Sequence, residues 1–248
     1  MPELILDLDV GNTNTKWRFP EMTGGKFENK NFERLKKLVS IRPERIRVAC
    51  VAGEVYKLKL SNALREYFDC EPEFAQSSTE CAGVQNAYMY PVTLGVDRWL
   101  AGVAAWNQSG GAPCLVVDAG SALTIDTIER GIFRGGYIIP GLGMMQRCLT
   151  GNTGKVLCDI GWSIDMEYLS TPTDTQQAVC RGASFAVCAV TEKAVSLFLL
   201  RWPHGKVLFT GGDGADLART LNRESDYKPD LVLDGLALAL PSHHAIDI

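Results

Sequence analysis

Short apolar runs alternate along the chain with stretches of helical periodicity. Leu4 to Leu8 is apolar and ends in Asp9-Val-Gly-Asn-Thr13, the pattern of a buried strand running into a polar turn. Thr15 to Phe19 reads as the returning arm of a hairpin. Phe32, Leu35, Leu38 and Val39 recur at helical spacing, Ile46 to Val51 reads as another buried strand, and Leu60, Ala63, Leu64, Tyr67 and Phe68 form a second helical stripe. Near Pro113 the design starts again. Cys114-Leu-Val-Val-Asp118-Ala-Gly120-Ser121 is once more an apolar strand, an Asp, one residue, a Gly and a hydroxyl or amide side chain. Ala122 to Ile128 is the expected return strand, Glu129-Arg-Gly131 its turn, and Gly135 to Ile139 a third strand. The stretch 173–201 predicts one long helix, closed by Trp202-Pro-His-Gly205. Lys206 to Phe209 predicts a strand that leads into Thr210-Gly-Gly-Asp213-Gly214 and a helix over 215–221.

Strand-turn units carrying Asp-x-Gly thus occur at Asp9 and again at Asp118, a weak internal duplication. It predicts two related α/β lobes, residues 1–108 and 109–248, with the helix of Val96, Trp99, Leu100 and Val103 near their junction. Composition narrows the class further. With 46% hydrophobic and 22% charged residues in 248, global disorder is excluded. The net charge is −4 and no Lys/Arg run stands out, so there is no electrostatic footprint for nucleic acid. The longest apolar stretch of the C-terminal half, Ala183 to Val190, falls far short of the roughly 20 residues that a bilayer needs, so no membrane partner is expected. It is apolar nearly all round, which predicts burial as a core helix, between lobes, or against a partner subunit. None of the eight cysteines (Cys50, Cys70, Cys81, Cys114, Cys148, Cys158, Cys180 and Cys188) forms a CxxC, and there are three histidines. The N-terminus, Met-Pro-Glu-Leu, carries no basic targeting region. A cytoplasmic protein with free thiols is expected, with Cys180 and Cys188 as small core residues.

Four motifs carry chemistry. In Asp9-Val-Gly-Asn-Thr, a carboxylate at a strand end suits Mg²⁺ held through water, Gly11 lets backbone approach a phosphate, Asn12 and Thr13 supply donors, and Lys16 adds a point charge. The plainer reading is a β-turn stabilised by its own Asp. Asp118-Ala-Gly120-Ser121 repeats the arrangement, and two such turns are what a nucleotide cleft between duplicated lobes requires. Gly211 and Gly212 add a glycine turn against which an adenosine ring can lie. The fourth is Gly95-Val96-Asp97-Arg98. Phosphoryl transfer to an alcohol needs the hydroxyl oriented and its proton accepted, which a carboxylate does, and an adjacent Arg can grip a substrate carboxylate in two prongs. Asp97 is equally a candidate helix cap. Tyr88 stands ahead of it as a candidate pocket wall or as a partly buried loop residue. No GxxxxGK[ST] occurs, and Gly141-Leu-Gly143-Met-Met-Gln146 has Gln where a dinucleotide fingerprint needs Gly or Ala, so it reads as a decoy.

The paired turns resemble those of the actin, heat-shock ATPase and sugar kinase superfamily. In this order and spacing, Asp-x-Gly-Asn-Thr, Gly-x-Asp-Arg, Asp-x-Gly-Ser and Thr-Gly-Gly-Asp resemble the type III pantothenate kinases over most of the chain, from Leu4 to Ala239. The resemblance implies an α/β fold of duplicated actin-like (ribonuclease H-like) lobes with an ATP cleft between them. It implies a homodimer, Mg²⁺, a monovalent cation (K⁺ or NH₄⁺), and transfer of the γ-phosphate of ATP to pantothenate, the first step of coenzyme A synthesis. Matched position by position, it assigns Asp9, Gly11, Asn12, Thr13 and Lys16 to the ATP phosphate loop, Ser121, Gly211 and Gly212 to ATP, and Asp118 to the monovalent cation. Gly95, Val96, Asp97 and Arg98 match the pantothenate segment, with Asp97 as proton acceptor, and Tyr88 and Thr175 match further pantothenate contacts. Thr175 is otherwise a first-turn helix residue. Two positions depart from the family pattern: Ser121 where Thr is usual and Ala87 where Gly is common. Asp7 shares a strand face with Asp9 and is a candidate to assist it. Two other function classes fit a nucleotide cleft: a phosphohydrolase of the exopolyphosphatase kind and a non-catalytic regulator. Asp97-Arg98 speaks against the first and the complete set of catalytic groups against the second.

Overall fold

The computed structural model describes residues 3–20, 22–152, 164, 167–223 and 226–242, with the backbone alone for 150–152. Cys158 lies outside the described residues. The chain packs as two compact units, residues 1–107 with 231–248, and residues 108–230.

The first unit opens with three strands, β1 (Ile5–Val10), β2 (Asn14–Phe19) and β3 (Thr23–Glu28). A 3-10 segment (Asn29–Ile41) leads to β4 (Arg45–Cys50), α1 (Glu54–Phe68) and β5 (Pro72–Phe74). The hairpin β6 (Glu80–Cys81) and β7 (Val84–Asn86) and the helix α2 (Val96–Gln108) follow. The sheet order is β3-β2-β1-β4-β5, antiparallel on the β2 side of β1 and parallel on the β4 side. Leu6, Leu8 and Val10 point to one face and form a core with Phe19, Ile46 and Val48. The segment at 29–41 departs from the α-helix that the sequence suggests. Phe32, Leu35, Leu38 and Ile41 recur every third residue, which a 3-10 helix stacks on one side. All four pack on this core, whereas Val39 is exposed.

The second unit repeats the frame. Its strands β8 (Cys114–Ala119), β9 (Ala122–Glu129) and β10 (Ile132–Pro140) are followed by α3 (Leu142–Asn152), α4 (Thr175–Arg201), β11 (Lys206–Thr210) and α5 (Gly214–Thr220). β8 pairs antiparallel with β9 and parallel with β11, as β1 does with β2 and β4. The burial sequence along β8 is identical to that along β1, with the Asp at the same half-buried fifth position. The duplication seen weakly in the sequence therefore extends to the order and direction of four strands, β3-β2-β1-β4 in one sheet and β10-β9-β8-β11 in the other.

Asp174 caps α4 by accepting the Gln177 N–H at 2.8 Å. By length and apolarity alone α4 would reach across a bilayer. Instead Ala183, Val187, Cys188, Val195 and Phe198 line the core of this unit, and Cys180 is buried as well. Phe185, Leu197 and Leu200 remain exposed on other sides of the helix.

A last helix, α6 (Leu231–Ala239), packs on β1 and β4 of the first unit. The expected division into 1–108 and 109–248 and the observed one therefore differ at the C-terminal end. The physical reason is a buried ion-pair network. Asp7, fully buried, meets Arg47 in two contacts of 2.6 and 2.9 Å, and Arg18 at 3.4 Å. Arg18 also binds Asp234 of α6 at 2.6 Å, and Arg47 donates to the Leu240 carbonyl at 2.8 Å. Arg45 donates to the Pro241 carbonyl at 2.6 Å. These partners hold the C-terminal stretch against the strands that open the chain.

Candidate functional site

The first turn hangs between β1 and β2. Asp9 lies opposite Lys16 across the antiparallel pair, so the carboxylate and ammonium share a sheet face. Gly11 N–H donates to Asn14 O at 3.0 Å and closes the turn. Asn12 and Thr13 are exposed at its tip. Asp7, suggested by the sequence as a helper of Asp9, instead has both carboxylate oxygens engaged by arginines, and its role is structural.

The second turn joins β8 to β9. Asp118 is half-buried beside Thr124 of β9 and Thr210 of β11 in register. Gly120 N–H donates to Ala122 O at 2.9 Å, with half-buried Ser121 following it. The third turn is pressed onto the second. Gly211 has φ +90°, and a Cβ there would stand 2.3 Å from both Ala119 O and Asp118 Oδ1. Asp213 N–H donates to Ala119 O at 2.8 Å. Asp118, Ser121, Gly211 and Gly212, far apart in sequence, are thus brought into one corner of the second unit.

The Gly95–Arg98 element opens α2. The helix begins at Val96, so Asp97 is not its N-cap. It sits one residue inside and its Oδ1 accepts the Arg98 N–H at 2.7 Å. Burial pushes the Asp97 carboxyl above the ordinary carboxylate range, against the opposing pull of that N–H and of the Arg98 charge. The Arg98 side chain is buried and its Nη1 donates to the Tyr88 hydroxyl at 3.2 Å. The Tyr88 loop is itself tied down: Asn86 Oδ1 accepts the Tyr88 N–H at 3.0 Å and Asn86 Nδ2 donates to Ser78 O at 3.1 Å. The structure therefore joins Tyr88 to Arg98 directly, while Thr175 opens α4 as an exposed residue.

Two supporting residues escaped sequence reasoning. Asn29 and Gly141 each stand immediately after the third strand of their sheet and hold the turn beside it. Asn29 N–H donates to Thr13 O at 2.9 Å, and Gly141 N–H donates to Ser121 O at 3.2 Å. Extending the comparison of the two halves by one strand would have aligned them. Gly141 belongs to the segment that mimics a dinucleotide fingerprint. Its observed reason for being Gly is packing, because a Cβ would lie 2.1 Å from Gly120 O.

Among the described residues no three His, Cys, Asp or Glu side chains converge as a metal site. Asp9 and Asp118 are single carboxylates at strand ends. Such oxygen donors fit cations whose remaining ligands are water and phosphate.

Comparison with known proteins decides the family. The profile of the type III pantothenate kinases matches residues 5–196. A type III pantothenate kinase of Alcanivorax borkumensis is 38% identical over 244 residues, covering 94% of this chain and 97% of that one. The Azotobacter vinelandii enzyme of the same name is 31% identical, covering 96% and 99%. The chain belongs to the type III pantothenate kinase family. The fold agrees with solved structures of the wider group. A Baf family protein of Campylobacter jejuni superposes with a TM-score of 0.56 at 24% identity, covering 93% of this chain and 94% of that one. The ethanolamine utilization protein EutJ of Carboxydothermus hydrogenoformans gives 0.51 at 13%, covering 96% and 90%. Both likenesses are of fold, and they agree with the two repeated α/β sheets of this pantothenate kinase family member.

Proposed function

We propose that this chain phosphorylates pantothenate with ATP, giving 4'-phosphopantothenate for coenzyme A synthesis, and that Asp97 is the residue that handles the acceptor hydroxyl. The observation that carries this assignment is the Asp97-Arg98-Tyr88 arrangement at the start of α2. A carboxyl pushed up by burial is a better proton acceptor than one in water. Its neighbour Arg98, kept in place by Tyr88, offers a guanidinium for the pantothenate carboxylate. Gly95, Val96 and Thr175 complete the proposed pantothenate contacts.

In the proposed reaction the pantothenate oxygen forms a bond to the γ-phosphorus. The bond from that phosphorus to the β,γ-bridging oxygen breaks, ADP leaves, and the hydroxyl proton passes to Asp97. Gly11, Asn12, Thr13 and Lys16 are the proposed phosphate contacts of the first turn, and Ser121 is the proposed ATP contact of the second. Gly211 and Gly212 provide the flat backbone for adenosine. Asp9 is the proposed Mg²⁺ carboxylate, acting through water, and Asp118 the proposed ligand of K⁺ or NH₄⁺. Held there, such cations would neutralise charge among the phosphates and the carboxylates.

A homodimer is the proposed assembly, supported by the apolar side chains Phe185, Leu197 and Leu200 that α4 leaves exposed. A cytoplasmic location is supported by the seven described cysteines, all of them free thiols. The test of function is a product assay with ATP and pantothenate, ATP alone, and ATP with simple sugars. Phosphate is expected on pantothenate only. Phosphate on sugars, or released free without pantothenate, would overturn the assignment.

A further inference from the structure

The polar groups of Asn29 are all spent on one loop and its support. Its side chain is buried, with Nδ2 donating to Gly11 O at 2.7 Å and Oδ1 accepting from Thr15 Oγ1 at 2.8 Å. Its N–H donates to Thr13 O at 2.9 Å, and its own carbonyl accepts from the Tyr56 hydroxyl at 3.3 Å. One side chain and one peptide group thus grip the first turn at its beginning, its tip and its exit. Gly11 and Thr13 point their carbonyls at Asn29, and a peptide whose C=O is fixed has the orientation of its following N–H fixed too, because the unit is planar. The N–H groups set in this way are those of Asn12 and Asn14. A loop that receives phosphate needs such amides aimed before the ligand arrives.

We infer that Asn29 is a positioning residue for nucleotide binding, setting the first turn in its phosphate-receiving conformation without itself touching the nucleotide. This rests on the reading of that turn as the phosphate loop. Asn29 does the work by side chain because the turn has three residues to restrain. At the equivalent place in the second unit Gly141 restrains a two-residue turn by close backbone contact.

The test uses the full chain and initial-rate kinetics with thermal melts. Asn29→Asp keeps the size and the acceptor for Thr15, but sets a carboxylate oxygen against Gly11 O. Asn29→Ala removes both side-chain contacts. Thr15→Val approaches the same clamp from its other side. For Asn29→Asp and Asn29→Ala, KM for ATP is expected to rise by about tenfold, on the scale of one lost hydrogen bond. A smaller rise is expected for Thr15→Val, and KM for pantothenate should stay near the wild-type value in all three. An unchanged KM for ATP in a folded Asn29→Asp protein would overturn the inference. So would a parallel rise of both KM values, or loss of folding in all three variants, because Asn29 would then be structural only. Lys16→Ala separates the two levels of the argument. If it too leaves ATP binding unchanged, the reading of the turn as a phosphate loop has failed; if it weakens ATP binding while Asn29→Asp does not, only the positioning role has.

Discussion

In the first unit three residues, Gly11 to Thr13, span the gap between β1 and β2; in the second, two residues, Gly120 and Ser121, span the gap between β8 and β9. The strands around the two turns match in order and direction, and β1 and β8 also share their burial pattern and carry their Asp at the same position. What supports them does not match. The longer turn is gripped by the Asn29 side chain, and the shorter one by Gly141 backbone that approaches too closely for any Cβ. Two residues before Asp9 stands Asp7 in a buried ion pair with Arg47 of β4; two before Asp118 stands Val116, beside Leu208 of β11 and opposite buried Asp126 of β9. Strand frame and chemistry have been kept between the halves, while packing has been solved anew in each.

The largest expected effect comes from outside both turns. If the turns bind nucleotide and neither supplies a base, Asp97→Asn should lower kcat by about 10²–10⁴-fold while nucleotide affinity holds. Asn retains an oxygen to accept the Arg98 N–H, and the ionised carboxylate it replaces is disfavoured by burial, so the melting temperature at neutral pH should not fall. The pH profile carries a second signature. Because the folded pKa is raised, activity that needs the carboxylate is lost as pH falls through a value above the ordinary carboxylate range. That acid limb of kcat/KM should vanish in Asp97→Asn. Near-normal kcat in the variant would leave Asp97 only its place in the helix.

The ion pair behind the first turn comes next. Arg47→Met leaves Asp7 buried with Arg18 at 3.4 Å, and breaking such a pair typically costs about 3–5 kcal/mol. Val116 shows what the same strand position looks like when it is apolar. The double variant Asp7→Val, Arg47→Met should therefore recover part of the loss in urea unfolding. A double variant no more stable than Arg47→Met would mean that the first unit cannot adopt an apolar parallel pair like Val116–Leu208 of the second, and the equivalence would hold for backbone alone.

Much of this was legible in the sequence because it rests on local pattern. β1, β8 and β11 are apolar runs ending at turn residues, and α4 has a helical length and stops at Trp202-Pro203. The candidate site was legible for the same reason: Asp-x-Gly turns and Gly-x-Asp-Arg are contiguous. The rest depends on pairings distant in sequence. Arg47 looks like a charge in an apolar strand until Asp7 is placed opposite it by parallel register. Gly141 looks like part of a nucleotide fingerprint until Gly120 is found against it. The run Leu231–Ala239 is plainly apolar, but contacts distant in sequence, among them the Arg18–Asp234 pair, say which unit it completes. Asn29 follows an exposed, Gly-containing strand, and nothing near it in sequence marks it as buried.

Gly141→Ala tests the difference in support directly. Its Cβ would stand 2.1 Å from Gly120 O, whereas a Cβ on Gly11 would meet only Asn14 O at 3.3 Å. Forcing such contacts typically costs about 1–3 kcal/mol, so Gly141→Ala should fall in that range and Gly11→Ala below it in the same unfolding measurement. The reverse order would break the claim that the second turn is the one held by backbone contact.

The smallest effect concerns charge at the two aspartates. Asp9 has Lys16 opposite it in the strand register, so the first turn carries a built-in ammonium beside its carboxylate. The register neighbours of Asp118 are two threonines, Thr124 and Thr210. A monovalent cation at Asp118 would give the second turn the positive charge that Lys16 gives the first, and would offset repulsion between that carboxylate and phosphate oxygens. Turnover is therefore expected to be a few-fold higher in K⁺ or NH₄⁺ than in Na⁺ at fixed ionic strength. Asp118→Asn should bring the three salts together by removing the anionic ligand. Thr124→Lys, which copies the arrangement of the first turn, should narrow the difference by supplying the charge from the protein. Equal initial rates of the unaltered protein in all three salts would remove the cation from Asp118. Persistence of the full salt preference in Asp118→Asn would move the cation elsewhere, and the two aspartates would then be alike in position and unlike in task.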